Sequence, residues 1–174
     1  MNCKGKYLIV QKDGLIRTDS FEGDTMDFFK KMKEVIGCDM IEQVTVAQDK
    51  DGNQLVMMVD EEGYMRYDRT ERPKVANKTA TEVYNNDSEK IHWVLGDVIF
   101  CVLVDGDDGM EFIPMSELAA EKTMESLKDA MKDAEALEIP DVIEDPEIEI
   151  KEIEIKGFDT MDEFLKAING GSQK

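Results

Sequence analysis

Histidine, tryptophan and basic side chains are scarce in this chain, and each shortage narrows its chemistry. The single histidine, His92, has no cysteine near it: Cys3, Cys38 and Cys101 lie far apart in the 174 residues. One imidazole without thiolates in register cannot assemble a zinc site, so His92 is expected to be structural and no metal or cofactor is expected. Three scattered cysteines build neither a disulfide framework nor a CxxC pair, which is the usage of a reducing, cytoplasmic compartment. Cys101, inside the apolar run 98–104, reads as a small buried hydrophobe. Only 21 Lys and Arg face 40 Asp and Glu, a formal charge of −19. Like charge therefore argues against direct DNA or RNA binding and against docking on an anionic membrane. No apolar run approaches the roughly 18 residues of a membrane span. Tyr7-Leu8-Ile9-Val10 is too short for the apolar core of a signal peptide. Phosphate-loop, dinucleotide-loop and nucleophile-elbow patterns are all missing.

What remains is a foldable acidic chain with its charge concentrated. At 41 % hydrophobic residues it is no disordered acidic tail. Net charge is −1 over residues 1–50, −4 over 51–100, −13 over 101–150 and −1 over 151–174. Acids placed for solubility alone would be scattered.

Apolar periodicity and turn residues place the elements. Tyr7-Leu8-Ile9-Val10 and Leu15-Ile16 flank Asp13-Gly14, a hairpin pattern. Asp24 or Thr25 is positioned to cap a helix over 26–36 that Gly37 ends, with Phe28, Phe29, Met32, Val35 and Ile36 on its buried stripe. A second hairpin joins 44–47 to 55–59. Pro73 opens a short helix near 75–83. The run 98–104 lacks alternation and predicts a central strand covered on both faces, followed by a strand at 111–113. Ser116 caps a helix reaching about residue 137. Beyond it, 147–155 alternate as a strand with a possible bulge, and Thr160 caps a helix over 161–168. The helix-start pattern at 24–30 recurs at 159–166, which reads as one cap used twice rather than a duplication. The expected fold is α+β: an antiparallel, hairpin-rich sheet with packed helices over 5–115, then at 116–174 an acidic amphipathic helix with a strand-helix extension.

Two acidic loops resemble calcium ligands but fail the spacing. Asp49-x-Asp51-Gly52 places glycine fourth and Asp105-x-Asp107-x-Gly109 places it fifth, where the sharp turn of a calcium loop needs it sixth. Both read as hairpin turns. Arg66, Arg69, Arg72, Lys74 and Lys78, interleaved with Tyr64 and Tyr67, form the one basic patch; a small anionic ligand or RNA strand could use such a mixture, but neighbouring Asp68 and Glu71 favour an intramolecular ion-pair surface.

The helix after Ser116 carries the strongest pattern. Ala120, Met124, Leu127, Met131 and Ala134 gather on one side. Glu117, Glu121, Glu125, Asp129 and Asp133 recur every fourth residue on the other, a row about 24 Å long at about 1.5 Å per residue. Such a row is either a solvated face or a set of carboxylates that occupies a cationic groove built for nucleic-acid phosphate.

Ile36-Gly37-Cys38-Asp39-Met40-Ile41-Glu42, Val59-Asp60-Glu61-Glu62-Gly63, Asn77-Lys78-Thr79-Ala80-Thr81, Leu95-Gly96-Asp97-Val98-Ile99-Phe100 and Phe112-Ile113-Pro114-Met115-Ser116 together resemble the small bacterial and phage family known as domain of unknown function 3846. The resemblance spans roughly residues 5–117. It implies no catalytic residue, but it does imply a setting: accessory proteins of phages, plasmids and conjugative elements, often near genes that counter host defence. Together with the acidic row it leads to an expectation of a non-enzymatic inhibitor. The expected partner is a cationic nucleic-acid-handling protein, such as a restriction or CRISPR nuclease. Contact is expected through Glu117, Glu121, Glu125, Asp129, Asp133, Glu144 and Asp145. The alternative is a small-ligand or peptide-binding module with its site near Tyr64, Arg66, Asn77 and Trp93.

Overall fold

In the computed structural model of the chain, residues 1–85, 90–106 and 109–146 are described. Their elements run β1 (Asn2–Val10), β2 (Ile16–Asp24), α1 (Thr25–Ile36), β3 (Ile41–Gln48), β4 (Gln54–Asp60), α2 (Gly63–Arg66), α3 (Arg72–Val75), α4 (Lys78–Asn85), β5 (Val98–Gly106), β6 (Gly109–Ile113) and α5 (Glu117–Ala134). The strands form one antiparallel sheet, ordered β2-β1-β5-β4-β3, with β6 also paired to β5. This is the α+β class expected. The strand and helix expected over 147–155 and 161–168 lie outside the described residues, as does most of the loop around residues 86–89.

β5 is central because it can bury both faces. Successive strand residues point to opposite sides, and along β5 both sides are apolar. Val98 and Phe100 join Leu8, Val10, Met57, Ala120 and Leu127 on one face. Ile99, Cys101 and Leu103 join Tyr7, Ile9, Phe28, Met32 and Met58 on the other. Helix α1 covers the second face, while α4 and α5 share the first. Each Leu, Ile, Val, Phe or Met among them, taken fully out of water, contributes about 1.5–3 kcal/mol. The edge strands β2 and β3 are mostly exposed, and β3 carries a register shift between Thr45 and Ala47 that disrupts its ladder.

Two expectations need correction. The boundary near residue 116 does not separate two cores: Ala120 and Leu127 of α5 pack with Leu8 and Phe100, so the acidic helix is one layer of the sheet domain. The single helix expected near 75–83 is two, α3 and α4. Ala76 leaves the helix to pair with Leu95, and the Asn77 side chain accepts from the Ala80 N–H at 3.0 Å to start α4. The caps at Asp24, Gly37 and Ser116 stand as expected. No helix among the described residues is long and apolar enough to cross a membrane.

After β6 the chain crosses back over β1, where Lys6 and Met115 exchange backbone hydrogen bonds of 2.8 and 2.7 Å. Glycine at position 5 permits that approach, since a Cβ there would run into the Met115 carbonyl oxygen. Gly5→Ala is expected to lower stability by about 1–3 kcal/mol, the cost of forcing packed backbone apart, as measured by urea denaturation.

Candidate functional site

Helix α5 is held rigidly by its apolar side, and its opposite side faces solvent. Glu117, Glu121, Glu125, Asp129 and Asp133 are all exposed. Lys6 approaches Glu117 at 4.0 Å and Lys132 approaches Asp129 at 3.4 Å. Glu121, Glu125 and Asp133 make no ion pair with any described residue. Lys122, Lys128 and Lys132 lie on the same polar sector at about 100° per residue. Five acids against three bases leave the helix only −2, so it accounts for little of the −13 in its region. Carboxylates four residues apart are about 6 Å apart along the axis. B-DNA presents a charge about every 1.7 Å, so this face supplies discrete carboxylates rather than a copy of a phosphate strand.

Glu144 and Asp145 do not join that row. Arg69 holds Glu144 at 2.7 Å and Asp145 at 2.9 Å, and the buried Arg72 holds Asp145 at 2.8 Å. The two arginines keep the Asp145 carboxyl below the usual carboxylate range. Arg66 pairs with Asp60 at 3.3 Å and Glu62 at 3.8 Å. The three arginines of the basic patch are thus ion-paired, but with Asp60, Glu62, Glu144 and Asp145 rather than with the neighbouring Asp68 and Glu71, and Lys74 and Lys78 make no ion pair with any described residue.

The residues of the alternative site divide. Asn77 is buried and Arg66 is ion-paired, whereas Tyr64 and Trp93 meet at a cleft. Tyr64 Oη donates to the Trp93 carbonyl at 2.8 Å. The Asn85 side chain accepts from the His92 N–H at 2.7 Å and donates to its carbonyl at 2.9 Å. Thr81 Oγ1 accepts from the Val94 N–H at 2.9 Å. The strip 92–94 is therefore clamped against α4 and α2. Tyr84, His92 and two further acids, Glu42 and Glu61, complete the cleft wall. Those residues come from β3, α4 and the loops before α2 and β5, so no local pattern in the sequence marks them as a group. The cleft encloses about 260 Å³, and a second of about 340 Å³ adjoins it through Tyr64, His92, Trp93 and Pro146.

Asp49 accepts from the N–H groups of Asp51 and Asn53, each at 2.9 Å, and from the Asn53 amide at 2.9 Å, which makes it a turn residue. Cys101 is fully buried beside Met32 Sδ at 3.7 Å, and burial pushes its thiol well up; burial also raises the Cys38 thiol, to about 11. Among the described residues no three His, Cys, Asp or Glu side chains cluster to hold a metal. No family model, curated protein or solved structure matches the chain.

Proposed function

We propose that the protein is a non-enzymatic acidic inhibitor that binds a cationic, nucleic-acid-handling protein, of the class of host defence nucleases, by protein contact along α5. The observation that carries this reading is the exposed trio Glu121, Glu125 and Asp133, without an ion pair to any described residue, on a helix anchored in the core. A rigid helix presents its charges with little ordering cost on binding. The sparse spacing favours pairing with individual Lys and Arg side chains over imitation of a continuous strand. The resemblance to phage and plasmid accessory proteins supports a mobile-element origin and a defence target.

The test is plasmid cleavage by a panel of restriction and CRISPR nucleases with the purified protein present. Inhibition is expected at about 50 mM salt and should weaken at about 200 mM, as screened charge pairs require. Reversing Glu121, Glu125 and Asp133 to Lys is expected to weaken inhibition about tenfold or more with an unchanged circular dichroism spectrum. Full activity of every nuclease at both salt concentrations would sink the proposal.

A further inference from the structure

We infer that the cleft between α2, α4 and β3 binds a methylated ammonium cation. Four aromatic or imidazole rings line it: Tyr64, Tyr84, His92 and Trp93. Its charged wall consists of Glu42, Asp60 and Glu61, with no lysine or arginine among the described lining residues; Lys90 lines the adjoining cleft. Asp60 is already taken by Arg66, but Glu42 and Glu61 make no ion pair with any described residue. Ring faces attract cations through their quadrupoles, most strongly where water is excluded, and quaternary ammonium groups are recognised by cages of this composition.

Four further observations fit the assignment. Tyr64 already carries one cation over its ring, the Arg72 guanidinium at 4.8 Å from the centroid. That charge is balanced by Asp145 at 2.8 Å, so it does not oppose a second cation. Tyr84 and His92 meet edge to face with centroids 6.2 Å apart, which forms a corner rather than a closed stack. The hydrogen bonds that clamp 92–94 hold the walls in place before any ligand arrives, which limits the entropy lost on binding. A volume of about 260 Å³ suits one trimethylammonium head and its first carbons, and the adjoining cleft of about 340 Å³ leaves room for the chain that carries it.

Trp93 is the only tryptophan in the chain, so its emission reports on this cleft directly. The full-length protein is titrated with choline, with an N-acetyl-trimethyllysine amide, and with 3,3-dimethylbutan-1-ol, the uncharged counterpart of choline. Both cations are expected to shift Trp93 emission saturably with Kd of about 1 mM. The neutral alcohol is expected to bind at least about tenfold more weakly. The tighter of the two cations identifies the source as a free amine or a methylated lysine side chain. Tyr84→Ala, at an exposed ring, is expected to weaken choline binding about fivefold or more. The Glu121, Glu125 and Asp133 reversal is expected to leave choline binding unchanged, so this inference and the proposed function fail separately. Equal binding of the neutral alcohol, no saturable change with either cation, or an unaltered Tyr84→Ala titration would each overturn it.

Discussion

Arg72→Met is expected to lower the unfolding free energy by about 3–5 kcal/mol, the usual cost of removing one partner from a buried charged network. Arg72 is 4 % exposed. Its guanidinium donates to the carbonyls of Tyr64, Tyr67 at 3.0 Å and Ile143 at 2.9 Å, and to the Asp145 carboxylate at 2.8 Å. Methionine preserves the stem's packing but leaves these carbonyls without a donor, at about 1–3 kcal/mol for each that stays dry. The lost ion pair counts for less, because Asp145 is more than half exposed and regains water. Arg72→Lys is expected to recover little, since one ammonium cannot span acceptors arranged for a planar fork.

The same network ties 137–146 to the body of the protein. Ile143 is buried beside Trp93 and Leu95, and its N–H donates to Arg69 O at 3.1 Å. Arg72→Met should therefore also speed protease cleavage near residues 140–146. Acid should loosen this segment in the wild type. The folded-state value of Asp145 lies below its ordinary one, so its contribution is present above the unfolded-state value, about pH 3.9, and is lost as pH falls below that. A stability loss under about 1 kcal/mol in urea denaturation would show that water replaces the guanidinium.

The sheet and the capped helices were legible in the sequence because their signals are local. Asp24, Gly37 and Ser116 act within one turn of themselves, and the unbroken apolar run of β5 says on its own that both faces are covered. Arg72 shows where such reading stops. Its partners lie up to 73 residues away, so nothing near Glu144 or Asp145 distinguished a tethering acid from a free one. The attachment of α5 was half legible. Its apolar stripe demanded a cover, but only the fold shows that Leu8 and Phe100 of the main core provide it. The three lysines that dilute its acidic face were visible on the same helical wheel, and counting them with the acids gives the face its true charge. The aromatic cleft was legible only as Tyr64 and Trp93, because Glu42, Glu61, Tyr84 and His92 reach it from separate segments.

Asn77 separates a structural role from a binding role by its response to substitution. It is 1 % exposed, and its Nδ2 donates to Val10 O at 2.9 Å and Gly96 O at 3.0 Å while its Oδ1 caps α4 through Ala80 N. One amide thus joins the end of β1, the turn before β5 and the start of a helix. Asn77→Leu keeps the bulk but removes both donors and the cap, and is expected to lower stability by about 3–4 kcal/mol. Asn77→Asp is the sharper test. It retains the capping oxygen, so a loss confined to the cap would leave it near wild type. If the donors matter, an aspartate facing two carbonyl oxygens should be about as damaging at neutral pH as leucine. Burial against those oxygens would raise its folded-state value, so stability should return as pH falls and the protonated carboxyl donates to one carbonyl. Recovery of urea stability on acidification in Asn77→Asp, and not in Asn77→Leu, would identify hydrogen-bond donation to the strand ends as what Asn77 contributes.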